Sequence, residues 1–316
     1  MPATASSSAP APSATSSSDD SSSQYNYTPT EYVCIIYVVL FSITALTHLF
    51  QTLKYRLWWL IPTILLASSG EVIGWAGRLW SSKNVDARDP FMMQIVCTII
   101  APTPFVASIF ITFGHLVHRL GSQYSWLSAR YYSRVFLTFD LISLIIQAAG
   151  GGIAASSNTV STENLGGNIM LAGIVLQMVA LGLFMILGLQ FFISYFNNRP
   201  VREKYSANRS TLTLTNGRAW NGKLKALSGA LAFASGVLMI RAVYRTIELA
   251  DGWNGPVIST QVYFNVFDGA MVTLAMYTLN VFHPGRLLFS QPDVSQVFVN
   301  ATEKDKNPSN TVESLA

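Results

Sequence analysis

The chain has 316 residues, half of them hydrophobic and only 11% charged, against roughly 25% charged in a soluble domain. With a mean hydropathy of +0.36, these values exclude an ordinary soluble domain and point to an all-α polytopic membrane protein. The net charge of +4 comes from basic residues between apolar runs, which is a topology signal and not a nucleic-acid footprint.

Residues 1–30 are rich in Ser, Ala, Thr and Pro and hold no Lys or Arg. That composition predicts a disordered tail. It has neither the basic start nor the apolar centre of a signal peptide. Seven apolar segments follow, each long enough at roughly 20 residues for a hydrocarbon core of about 30 Å. They are expected near Tyr32–Phe50, Leu57–Gly77, Met92–Leu116, Val135–Ala154, Asn168–Ile193, Leu224–Thr246 and Gln261–Phe282. Together they predict a seven-helix transmembrane domain over 31–288, followed by a disordered polar tail over 289–316. The short loop Gln51–Arg56 makes the first two helices antiparallel neighbours. Pro102 and Pro104 fall inside the third span. They should kink it and free backbone carbonyls that need other partners. Cys34 and Cys97 lie in apolar runs and read as buried thiols.

Counting basic residues sets the orientation. With the N-terminus outside, fifteen of the twenty Lys and Arg fall on the cytoplasmic side, so the chain is expected to be N-out and C-in. Arg78, Lys83, Arg88, Arg241 and Arg245 then lie on the outer side. The sequon at Asn26 would be outside, and those at Asn208 and Asn300 inside. The loop Asn197–Asn221 is the most basic and holds Ser206, Ser210, Thr211, Thr213 and Thr215. It reads as the topology signal, or more sharply as a phosphorylation-tuned contact with anionic lipid or with a cytosolic partner.

Ionisable residues inside the spans are the candidate site, because a charge in hydrocarbon needs a partner, water or a proton. Glu71 is expected in the outer third of helix two and Arg241 in the outer third of helix six. Arg245 and Glu248 should lie near the outer surface, and Asp268 about two turns below the start of helix seven. Arg241, Arg245 and Glu248 are spaced by four and three and share a helix face. Two readings stand side by side: a charged cluster that receives a polar headgroup, and a structural ion-pair network with snorkelling arginines. Deeper, Asp140, Ser143 and Gln147 share a face of helix four, and Gln177 lies on helix five. They form a discontinuous polar ladder, or, for the two glutamines, interhelical hydrogen-bond glue. Gly150-Gly151-Gly152 lets helix four end irregularly or a neighbour approach closely. Gly70, Gly74 and Gly77 make a close-packing face. His48, His115, His118 and His283 are scattered, give no metal set, and read as solvated or capping.

The chain lacks a Gly-x-x-x-x-Gly-Lys-[Ser/Thr] loop for ATP, the Gly-x-Ser-x-Gly and His-Glu-x-x-His hydrolase signatures, and any Lys in the seventh span for a retinal Schiff base. An enzyme is not expected, and nothing calls for a cofactor.

The residues Glu71-Val72-Ile73-Gly74-Trp75-Ala76-Gly77-Arg78 open a set of motifs in a fixed order on separate spans. Next come Ala101-Pro102 with Ala107-Ser108; Asp140-Leu141-Ile142-Ser143 with Gln147 and Gly150-Gly151-Gly152; and Gly173 with Gln177. Arg241-Ala242-Val243-Tyr244-Arg245-Thr246-Ile247-Glu248 follows with Gly252 and Gly255, then Tyr263 with Asp268, and His283-Pro284-Gly285. In these the chain resembles the fungal lipid-translocating exporters, or Rta-like proteins, from about Tyr32 to Leu288. The resemblance implies seven spans in the plasma or an internal membrane, N-terminus outside. It implies movement of sphingoid long-chain bases or other amphiphiles between leaflets, resistance to toxic lipophiles and, in one branch, porphyrin traffic. Two departures stand out: Gln261 where the family often has Glu, and Phe110 where it often has Tyr. The first removes an anionic contact at the outer mouth. The leading expectation is an ATP-independent translocator with Glu71, Arg241, Arg245, Glu248 and Asp268 as outer station and Asp140, Ser143 and Gln147 as inner one. The rival is a seven-span receptor signalling through the Asn197–Asn221 loop.

Overall fold

The computed structural model describes residues 27–289 apart from 86, 158, 202–219 and 253–254. The three sequons, most of the basic loop with its hydroxyl residues, and nearly all of both tails lie outside the described residues. Those described are helix and turn with no strand. Seven helical spans are long and apolar enough to cross a membrane: Glu31–Tyr55, Trp58–Lys83, Arg88–Leu120, Tyr131–Ser156, Val160–Phe196, Gly222–Ala250 and Gln261–Phe289. All seven apolar segments read from the sequence fall on them. The helices overrun the hydrophobic segments because polar residues at their ends continue the backbone ladder. The fifth span, for example, starts from a Thr159 cap that accepts from the Thr162 N–H.

Each span packs on the next in chain order and the seventh returns to the first. That closure is polar: Tyr37 Oη donates to Asn265 O at 2.7 Å, and Gln51 Nε2 to Asn280 O at 2.8 Å. The third span is the most buried of the seven and touches the second, fourth and sixth, so it is the axis of the bundle. It is broken where Pro102 predicts. A helix over Arg88–Ile100 meets a second over Pro102–Leu120 at Ala101. Large apolar side chains such as Leu46, Ile145 and Ile186 face outward, as a protein dissolved in hydrocarbon requires.

Glycines decide how closely the spans approach. A Cβ on Gly74 would lie 2.7 Å from Thr98 Cγ2, and one on Gly70 2.8 Å from Ala101 Cβ. The small-residue face of span two therefore seats directly on the broken stretch of span three. A Cβ on Gly150 would meet Met170 N at 2.6 Å and Gly166 O at 2.7 Å. Gly150, and Gly151 with Val96 3.1 Å from its Cβ position, thus serve close approach, whereas Gly152 faces open space. The triplet does not end the helix, which runs on to Ser156. Arg88 closes that end, with Nη2 on Ala154 O at 2.9 Å and on Ser157 Oγ at 2.8 Å. A cation at a helix C-terminus is favourably placed.

Candidate functional site: a buried ion network

The network starts from one backbone rule. Pro102 has no N–H, so the carbonyl four residues earlier, that of Thr98, loses its helical donor. Arg241 Nη2, from span six, donates to that carbonyl at 2.5 Å. One turn on, Arg245 Nη2 donates to the Thr98 hydroxyl at 2.7 Å. The kink in the central span thus fixes two guanidinium groups in the interior.

Asp268 from span seven, itself within a wide helical turn over Phe264–Ala270, takes both. Its Oδ1 lies 2.8 Å from Arg241 Nε, an ion pair whose N–H points off axis. It accepts from Arg245 Nε at 2.9 Å and, on Oδ2, from Arg245 Nη2 at 2.8 Å. Arg245 Nη1 donates to Glu248 at 2.7 Å, and the Tyr244 hydroxyl to its other oxygen at 2.8 Å. Arg245 and Glu248, expected near the outer surface, are nonetheless buried, with 1% and 3% of their surface exposed. Two guanidiniums and two carboxylates balance, as a buried set must.

Glu71 brings a third carboxyl group. It is fully buried, beside the Trp75 indole and within electrostatic reach of Asp268, Arg241 and Arg245, yet neither oxygen makes a hydrogen bond of normal geometry. The structure thus brings Glu71, Arg241, Arg245, Glu248 and Asp268 together from three spans, with Thr98 added from a fourth.

Arg78, expected among the basic residues outside the hydrocarbon, is 1% exposed. It donates to Gln94 Oε1 at 3.1 Å and to the Tyr27 hydroxyl at 2.8 Å. Burial raises the Tyr27 phenol above its ordinary range, and Arg78 opposes the rise. The Phe264 ring lies between Arg78 and Arg245, with guanidinium carbons 4.4 and 4.9 Å from its centroid, a cation–π arrangement. Thr98, Tyr244, Phe264 and Arg78 were not foreseen. Pro102 signals Thr98, and Arg78 stands seven residues after Glu71 on the same helix face. Gln261, where the resemblance led one to expect Glu, accepts from Thr30 Oγ1 at 3.0 Å and ties the start of span one to span seven.

Glu248 lines a cavity of about 300 Å³ with Asn164, Asn168, Leu249 and Ile258, between the start of span five and the end of span six. It gives the network a polar approach from the N-terminal side of the bundle.

The deeper polar residues are held separately. Gln147 Nε2 donates to Gln177 Oε1 at 3.1 Å, and Thr103 meets the same oxygen at 3.4 Å, an interhelical tie. Ser143 donates to Phe139 O of its own helix at 2.9 Å. Asp140 is 2% exposed with both oxygens unpartnered. His48 and His283, read as solvated or capping, are buried with ring centroids 6.2 Å apart. Hydropathy gives depth but not rotation, and both rings turn inward. His283 Nδ1 does accept from the Gly285 N–H at 3.1 Å.

A family model described as "RTA1 like protein" matches residues 64–291. The sphingoid long-chain base transporter RSB1 of Saccharomyces cerevisiae is 30% identical over 274 residues, 78% of this chain and 70% of that protein. Protoporphyrin uptake protein 1 of the same organism is 26% identical over 292 residues, 81% and 90% of the two chains. Protein RTM1, also from Saccharomyces cerevisiae, is 31% identical over 206 residues, 65% and 61%. No solved structure matches.

Proposed function

The chain belongs to the RTA1-like family, and from that premise we propose that it translocates single-chain amphiphiles with an ionisable headgroup between membrane leaflets, without ATP. The observation that carries this reading is the ion network buried among four spans and reached from Glu248's cavity. A charged headgroup crosses bare hydrocarbon only at high cost, and charges inside a membrane protein mark routes for such groups. The network offers both signs. Glu71, whose oxygens make no hydrogen bond of normal geometry, is the acceptor left for a cationic headgroup, while Arg241 and Arg245 suit an anionic one. Relatives named for a sphingoid base and for a porphyrin fit a site of mixed sign. The bias of basic residues supports an N-terminus outside, which puts the network in the outer half of the bundle. The plasma membrane is the membrane we assign.

Purified protein in liposomes tests this. Labelled long-chain amine loaded in one leaflet should cross faster than in protein-free vesicles, without nucleotide. Equal rates would refute the translocator and leave the receptor reading, which requires a cytosolic partner.

A further inference from the structure

A second cavity, of about 350 Å³, lies lower in the groove between spans five and six. Phe184 and Gly188 line one wall, Leu231 and Ser235 the other, and Phe113 of span three the back. Apolar cavities of about 150 Å³ already bind small apolar molecules, and close-packed interiors seldom leave one this large unused. Its outer rim is made by Ile186 and Leu189, 65% and 63% exposed, so it opens sideways to the surrounding hydrocarbon.

Two details identify the occupant. Ser228 donates to Leu224 O of its own helix at 2.8 Å, but Ser235, one turn-pair on and 2% exposed, has a hydroxyl with no partner. That hydroxyl is a single polar point on a wall that otherwise suits an alkyl chain. A polar cavity lined by Glu248, Asn164 and Asn168 lies on the same two spans, with the Thr246–Met178 contact of 3.8 Å between the two cavities. Glu248 and Ser235 are thirteen residues apart on one helix, about 20 Å at 1.5 Å per residue.

We infer that the apolar cavity holds the alkyl chain of the amphiphile whose headgroup is taken up beside Glu248, and that it sets chain-length preference. This rests on the translocator reading but is tested separately from it. The headgroup enters the polar cavity, the chain lies down the groove, and Ser235 bonds the headgroup as it passes. A Cβ on Gly188 would sit 3.5 Å from the Phe113 ring, an ordinary contact. The Cβ of Gly188→Leu is therefore accommodated, and its isobutyl group should take up space in the cavity that Gly188 lines.

The probe is a single-chain primary amine carrying a diazirine near the end of its alkyl chain, photolysed with the full-length protein in nanodiscs. Labelled residues are mapped by mass spectrometry. The result expected is labelling concentrated on Phe184, Met185 and Leu231, reduced at least fivefold by Gly188→Leu and competed by unlabelled long-chain but not short-chain amine. Labelling spread over outward residues such as Leu46 and Ile145, unchanged by Gly188→Leu, would overturn the inference. Because the readout is binding, cavity labelling in a protein that moves no lipid would refute transport alone. In flux, Gly188→Leu should slow long chains more than short ones, and equal slowing of both counts against the inference.

Discussion

Asp268→Asn keeps the shape of the side chain and removes the charge that holds Arg241 and Arg245. In the native network Asp268 makes three contacts of 2.8–2.9 Å with these two arginines. After the change Arg245 keeps Glu248 at 2.7 Å and the Thr98 hydroxyl, but the one hydrogen bond left to Arg241 is that to the Thr98 carbonyl, with Glu71 its nearby carboxyl group. Breaking a buried pair on one side costs about 3–5 kcal/mol, because the remaining charge stays uncompensated. At about 1.4 kcal/mol per tenfold, that is roughly two to three and a half powers of ten in the folding equilibrium. Removing Arg241 as well leaves Arg245 balanced by Glu248, so Asp268→Asn with Arg241→Met should recover the part of the loss owed to the uncompensated charge. About 1–3 kcal/mol would remain unrecovered, from the Thr98 carbonyl left without a donor. The assay is reversible unfolding of the purified variants in mixed micelles. A loss below about 1 kcal/mol for Asp268→Asn, typical of exposed pairs, would refute the claim that this carboxylate neutralises two buried arginines.

Further outcomes follow from single contacts. Pro102→Ala returns an N–H to the Thr98 carbonyl, which Arg241 must then share; flux should fall several-fold while stability changes little, and unchanged flux would separate the kink from the site. Gly150→Ala places a Cβ against backbone of span five and should destabilise by about 1–3 kcal/mol. Gly152→Ala meets open space and should stabilise by about 0.5–1 kcal/mol; matching signs in the unfolding assay would contradict the packing. Gln147→Leu and Gln177→Leu, combined in a double-mutant cycle, should show a coupling of about 0.6–2 kcal/mol. A coupling of zero means that the 3.1 Å bond contributes nothing.

The seven spans were legible because hydrocarbon imposes one length and one polarity on each. The network was legible in part. Arg241, Arg245 and Glu248 announce a shared face by spacing, and Asp268 and Glu71 announce themselves as charges in apolar runs. What joins them was half visible: Pro102 marks a freed carbonyl, but nothing in the sequence says that Arg241 reaches it. Arg78 was counted only as an outer-side basic residue, although its spacing from Glu71 places it on the same helix face. A shared face does not fix partners in the deeper set. Shared helical face puts Asp140, Ser143 and Gln147 in line, yet Ser143 turns to its own backbone and Gln147 to Gln177. The cavity between spans five and six has no sequence signature, since it arises where Gly188 and Phe113 leave space between helices.

The most direct measurement is leaflet-resolved flux of a labelled long-chain amine through liposomes containing wild type, Asp268→Asn, or the stability-restored Asp268→Asn/Arg241→Met pair. The account predicts rapid crossing for wild type alone, with the folded double variant as slow as protein-free vesicles. Full flux through that double variant would contradict it, because the network would then be scaffolding and the headgroup would cross elsewhere.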